Sequence, residues 1–122
     1  MESDQTTTIA DVKNAIERFV DARDWKQFHD PKNVAMALAS EVGELLEHFR
    51  WVKSHEAFDV VQDPRSAEAV ASELADVVIF ALDFATICGI DVAQAVDHKL
   101  KLNEQRYPVE KAKGTATKYD RL

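Results

Sequence analysis

Cysteine is almost missing from this chain of 122 residues, which has only Cys88. No intrachain disulfide is possible, and a reducing, cytoplasmic compartment is the simpler setting. The apolar neighbours of Cys88 read as those of a buried structural thiol, not a nucleophile. Basic residues are also in deficit: 15 Lys and Arg against 22 Asp and Glu give a formal net charge of −7. That leaves no cationic excess to replace phosphate counterions, which excludes a nucleic-acid polymer as bulk partner but not a single nucleotide. Long apolar runs are absent, and the longest strongly apolar stretch, from Val77 to Leu82, is far too short to span a bilayer. Met1 to Thr8 is polar and acidic and lacks the basic-then-apolar order of a signal peptide, so no membrane partner is expected. With three glycines there is no Gly-rich phosphate loop. Strand alternation, internal repeats and a second-domain linker are lacking too.

What is present reads as helix. A composition of 46% hydrophobic and 30% charged residues suits one soluble globular domain over 1–122, with a core of about 9–108 and a basic, extended tail over 109–122. Residues 1–7 read as a loose tail. Thr8 with Asp11 makes a variant capping box, and Ile9, Val12, Ile16, Phe19 and Val20 recur at helical spacing, predicting a helix over 9–22. Asp30-Pro31 starts a second helix over 31–52, with Val34, Leu38, Val42, Leu45, Leu46 and Phe49 toward a core. Asp63-Pro64 starts a third over 64–88, carrying Val70, Leu74, Val77, Val78, Ala81, Leu82 and Ala85 and ending at Gly89. Asp91 caps a fourth over 92–105, with Val92, Val96 and Leu100 as its apolar positions, before Pro108. Four helices with short connections make an all-α four-helix bundle.

Two acidic spacings stand out, Glu41-Val-Gly-Glu44 and Glu73-Leu-Ala-Asp76, each a pair of carboxylates three residues apart on one helix face. Four facing acids are costly alone, because like unit charges about 4 Å apart repel by roughly 4 kcal/mol near a protein surface. A divalent cation removes that cost, and hard oxygen ligands suit Mg²⁺ or Mn²⁺. Solvated acids on amphipathic helices are the alternative. Trp25, Phe28 and His29 fall on a connection, where aromatics either plug a bundle end or stack on a planar ligand. Trp51 near a helix end and Phe80, seven residues after Glu73, have the same two readings, core or site. Lys99 and Asn103 share a face that Tyr107 would continue, a set of donors suited to phosphate oxygens or a solvated polar face.

Laid out together, these residues resemble the MazG-like all-α nucleoside triphosphate pyrophosphatases, most closely the dCTP pyrophosphatase branch. The resemblance runs in order through Arg23-Asp-Trp-x-Gln-Phe-His29, Pro31-x-Asn33, Glu41-Val-Gly-Glu-Leu, Trp51, Glu73-Leu-x-Asp76-Val, Lys99, Asn103, Arg106-Tyr107-Pro108 and Lys118-Tyr119. It implies Mg²⁺-dependent cleavage between the α and β phosphates, giving a monophosphate and pyrophosphate. Glu41, Glu44, Glu73 and Asp76 are then the metal ligands. Trp25 and Trp51 match base-pocket positions, with His29 beside them, Lys99, Asn103 and Tyr107 match positions on the phosphates, and Asn33, Phe80 and Arg106 are further substrate-binding candidates. Glu41, Glu44 and Glu47 are all candidates for the general base, and Lys99 would stabilise charge on the departing pyrophosphate. The chain departs from the pattern at His48, where an apolar residue is expected, and in the loop over 54–62, differences that bear on the choice of base. A dimer-based tetramer is implied, and Ile79, Phe80 and Phe84 beyond the main stripe of the third helix suit a homo-oligomer. A di-iron carboxylate bundle would need Glu-x-x-His twice, and none of His29, His48, His55 or His98 has that glutamate. A non-catalytic, metal-stabilised helical module that binds a nucleotide or another helix is the second alternative.

Overall fold

The computed structural model describes residues 1–122 and is helical, with no strand. It falls into two compact units, Met1–Gly89 and Ile90–Leu122. The first holds α1 (Ile9–Ala22), α2 (Pro31–Glu47), α3 (Ala57–Gln62) and α4 (Pro64–Ile87), and the second α5 (Val92–Arg106) and α6 (Val109–Ala112).

Local chemistry fixes where the long helices start. Thr8 Oγ1 accepts from the Asp11 amide at 3.0 Å while the Thr8 amide donates to Asp11 Oδ2 at 2.9 Å, completing the capping box. Asp30 accepts from the Asn33 amide, Asp63 from the Ser66 amide and Asp91 from the Gln94 amide, so each of these aspartates satisfies a first-turn N–H that has no partner within its helix. α4 stops at Cys88, and Gly89 follows with φ 66°, the left-handed geometry that closes a helix without a Cβ clash.

In the first unit α4 is the centre: α1, α2 and α3 all pack against it, α2 most extensively. Two contacts orient α2. His29, just before α2, meets Asp83 late in α4, while Glu41 further along α2 meets Glu73 and Asp76 earlier in α4. The two helices are therefore antiparallel. The buried apolar set is Ile16 and Val20 of α1, Val34 of α2 and Leu82 and Ala85 of α4. Val34 is the most enclosed side chain, and burial of a valine contributes on the order of 1.5–3 kcal/mol.

Several expectations change. The helix count is six, not four, because α3 and α6 span only six and four residues, too few for periodicity to register. α2 ends at Glu47 and not near 52: residues 48–52 continue in tighter turns, with the Phe49 amide donating to Leu46 O and the Val52 amide to Phe49 O. Residues 1–7 are not loose, since the Thr6 and Thr7 amides both donate to Ser3 O. Cys88, the C-cap residue of α4, is exposed rather than buried. Phe19, Val42, Leu46, Leu74 and Val78, expected inside, are at least two-fifths exposed in the single chain, as is Ile79.

The second unit has its own contacts. The tail folds back instead of staying extended: Tyr119 meets Tyr107 edge-on at 5.9 Å between ring centroids, and the Arg106 guanidinium lies over the Tyr119 ring at 4.6 Å. Val96 and Leu100, expected to face a core, are exposed.

Candidate metal and nucleotide site

Glu73 and Asp76 project from one face of α4, and the same stripe continues through Phe80 to Asp83 at helical steps of three and four. Across from them α2 presents Glu41. One carboxylate oxygen from each of Glu41, Glu73 and Asp76 lies within 4.8 Å of the others. Glu41 Oε2 and Glu73 Oε2 are shielded from solvent and have no hydrogen-bond partner. Such orphaned anionic oxygens are rare in folded proteins unless an ion or ligand completes them. Three hard oxygen donors converging on one point fit a divalent cation of the Mg²⁺ or Mn²⁺ kind.

The electrostatics agree. Burial, then a hydrogen bond shared with the Glu44 carboxyl, then the charges of Glu44, Asp76 and Glu73 raise Glu41 above the usual carboxylate range. Burial, Glu44 and Asp76, in that order, raise Glu73. His48, whose Nε2 stands 4.0 Å from Glu73 Oε1, opposes the rise at Glu73. Concentrated negative charge favours the protonated acids until a cation replaces the protons.

The other candidate residues fall in several places. Glu44 is exposed beside the cluster and reaches both Glu41 and Glu73. Glu47 lies outside the cluster and pairs with Arg50 at 2.8 Å. Trp25 sits on the connection after α1, edge-on to Phe19 at 5.7 Å, where Asp24 with φ 53° turns the chain and accepts from Gln27 Nε2. Trp51 is 83% exposed on the turns after α2, with the Arg50 guanidinium 4.7 Å from its ring, so it is not a core anchor. Asn33 Nδ2 donates to Phe28 O at 3.0 Å and braces the loop before α2. Phe80 is half-buried between Asp76 and Asp83 on the α4 stripe. Lys99, Asn103, Arg106 and Tyr107 belong to the second unit, Lys99 and Tyr107 exposed, Asn103 and Arg106 half-buried.

One residue escaped the sequence reading. Asp83 is 5% exposed, and its Oδ2 lies 2.6 Å from His29 Nδ1. Its only signal in sequence is that it follows Asp76 by seven residues inside an apolar segment.

The class defined is an all-helical protein whose acids converge from two antiparallel helices into a donor set that a divalent cation would fit. The profile of the MazG-like family matches residues 36–122. The chain is 41% identical over 115 residues to dCTP pyrophosphatase 1 of Mus musculus, spanning 94% of this chain and 68% of that protein. It is 37% identical over 76 residues to a dATP/dGTP diphosphohydrolase of Cyanophage S-2L, spanning 62% of this chain and 56% of that one. The crystal structure of a pyrophosphatase from Archaeoglobus fulgidus superimposes with a TM-score of 0.77 at 37% identity, over 82% of this chain and 92% of that one. This chain belongs to the MazG-like family.

Proposed function

We propose that the protein is a nucleoside triphosphate pyrophosphohydrolase that cleaves the α–β phosphate bond of deoxynucleotides, dCTP or a modified dCTP foremost, releasing the monophosphate and pyrophosphate. The observation that carries this is the convergence of Glu41, Glu73 and Asp76 with two orphaned oxygens, in a chain of this family. Similarity to dCTP pyrophosphatase 1 supports the cytosine substrate, and the phage dATP/dGTP diphosphohydrolase indicates that the base varies among relatives.

Glu41, Glu73 and Asp76, joined by Glu44, hold the cation, with Mg²⁺ the proposed ion. When bound, it neutralises phosphate charge and orients a water for attack. Glu44, the exposed carboxylate touching the cluster, accepts the proton of the attacking water as the new P–O bond forms and the pyrophosphate oxygen departs. Glu47 is drawn aside by Arg50 and takes no part in this assignment. By the family resemblance, Lys99, Asn103 and Tyr107 are the residues assigned to the phosphates, with Arg106 a further substrate-binding residue. Trp25, Trp51 and Phe80 supply aromatic faces for the base, and Asn33 holds the loop that bears His29.

A dimer-based tetramer is part of the proposal. An apolar groove of about 830 Å³ in the first unit is lined by Leu74, Val78 and Ile79 of α4, Ile9 and Val12 of α1 and residues before α1. Exposed aliphatics in that concentration favour a covering copy of the chain.

³¹P NMR of the products formed from a panel of triphosphates, with Mg²⁺ and then with chelator, tests the reaction. Pyrophosphate and monophosphate appearing only with metal are expected. Orthophosphate would contradict the assigned bond, and nucleotide binding without product would leave the non-catalytic module.

A further inference from the structure

His48 closes α2 as its C-cap residue, and its backbone is still helical, with φ −69° and ψ −17°. It therefore keeps the step of four from Glu44, a spacing at which two side chains of one helix reach a common point. Glu44 reaches Glu73 on the facing helix, and Nε2 of His48 stands 4.0 Å from Glu73 Oε1. A carboxylate and an imidazole of α2 thus approach the same carboxylate of α4, and His48 and Glu73 are both half-buried.

The distance carries information. At 4.0 Å the two atoms are too far apart for a hydrogen bond, and they are short of the roughly 4.6 Å that a water spans when it bonds to both at about 2.8 Å. Two donors of one small divalent cation, each about 2.1 Å from it, lie about 3.0 Å apart when adjacent in its shell and about 4.2 Å apart when opposite. The gap between His48 and Glu73 falls inside that interval. Carboxylate oxygens alone satisfy Mg²⁺, whereas imidazole nitrogen is a donor that first-row transition cations accept and Mg²⁺ seldom takes.

Resting on the cation centre of the pyrophosphohydrolase reading, we propose that Nε2 of His48 is a nitrogen ligand of that centre and gives it a preference for a first-row transition cation over Mg²⁺ when the two compete. Mn²⁺ is the member of that series whose affinity for carboxylate oxygen also suits Glu41, Glu73 and Asp76. A ligating Nε2 presents its lone pair, so the neutral ring of His48 then carries its proton on Nδ1.

The test follows Mn²⁺ alone, without nucleotide, in the full-length protein by electron paramagnetic resonance. Bound Mn²⁺ should show spin-echo modulation from a coordinated ¹⁴N, which changes to the ¹⁵N pattern in protein labelled at histidine and is lost in His48→Leu. In competition titrations His48→Leu should raise the dissociation constant of Mn²⁺ about tenfold, a loss that even outer partners of metal ligands produce, and that of Mg²⁺ by less, so the preference narrows. Bound Mn²⁺ without nitrogen modulation in the unaltered protein overturns the ligand assignment, leaves the acid centre standing and needs no variant. Modulation that persists in His48→Leu overturns it as well, because the nitrogen would belong to another histidine. An equal loss for the two ions marks His48 as an ion-pair brace of Glu73 and overturns the selectivity. Mn²⁺ that stays free in solution overturns the cation centre itself, and this inference with it.

Discussion

Replacing Glu41 with Gln should stabilise the protein without metal and destroy its response to metal. Glu41, Glu73 and Asp76 bring three ligand oxygens within 4.8 Å, and the imidazole of His48 stands 4.0 Å from Glu73. A neutral amide of the same shape removes repulsion and leaves the packing of α2 on α4 intact, so the midpoint in chelator rises. The metal response has a calculable size. A site filled at about 100 times its dissociation constant gains roughly 2.7 kcal/mol, and a chain this long unfolds with an entropy that turns this into roughly a 10 °C shift. Weakened about 100-fold, the same site at the same metal concentration gains roughly 0.4 kcal/mol, under about 2 °C. Differential scanning fluorimetry with EDTA and with saturating Mg²⁺ or Mn²⁺ measures both effects. A Glu41→Gln protein that melts lower than the unaltered one in EDTA yet keeps the full metal shift would refute the reasoning, because the carboxylate would then be structural.

The raised Glu41 and Glu73 carboxyls make the metal-free folded state bind more protons than the unfolded chain across the interval between the usual carboxylate range and their elevated values. Their contribution to stability is therefore lost as pH rises through that interval, and chelated protein should melt higher on mild acidification; a midpoint that falls steadily from neutrality downward would contradict this. Glu44→Gln should abolish turnover with helix content unchanged by circular dichroism, and an active variant would remove Glu44 from the chemistry. Trp51→Ala should raise KM about tenfold, the scale of one base-stacking contact, without moving the thermal midpoint, since the ring is 83% exposed. Leu74→Glu with Ile79→Glu should reduce the mass seen by light scattering to that of one chain, and an unaltered protein already at 13.7 kDa would refute the oligomer.

Much of this was legible because it is local. The aspartate caps announce themselves within three residues, and the structure places them at Asp30, Asp63 and Asp91 as read. Burial was not legible in the same way. Periodicity marks Leu74 and Val78 as belonging to an apolar face, but whether that face is covered by this chain or by another copy depends on contacts no stripe encodes. The His29–Asp83 pair was invisible for a related reason: it joins residues 54 apart, and although His29 stood out in its segment, nothing local names Asp83 as its partner.

The acid site shows where spacing misleads even locally. Steps of three residues fall short of a full turn by about 60° each, so Glu47, two such steps past Glu41, faces about a third of a turn away. Seven residues fall short by only about 20°. His48, not Glu47, therefore continues the stripe from Glu41 through Glu44, and the structure places its imidazole beside Glu73 while Glu47 turns to Arg50. The same count on α4 carries Glu73 to Phe80 and Asp76 to Asp83. α4 thus bears acids at one level and Phe80 at the next, whereas His48, one heptad beyond Glu41 on the antiparallel α2, lies toward the opposite end of the cluster, beside Glu73. On the proposed reading, a nucleotide with its phosphates at the acid cluster would reach Phe80 about one turn further along α4 and the level of the His29–Asp83 pair about two turns along, so the spacing of the stripe matches the length of the ligand.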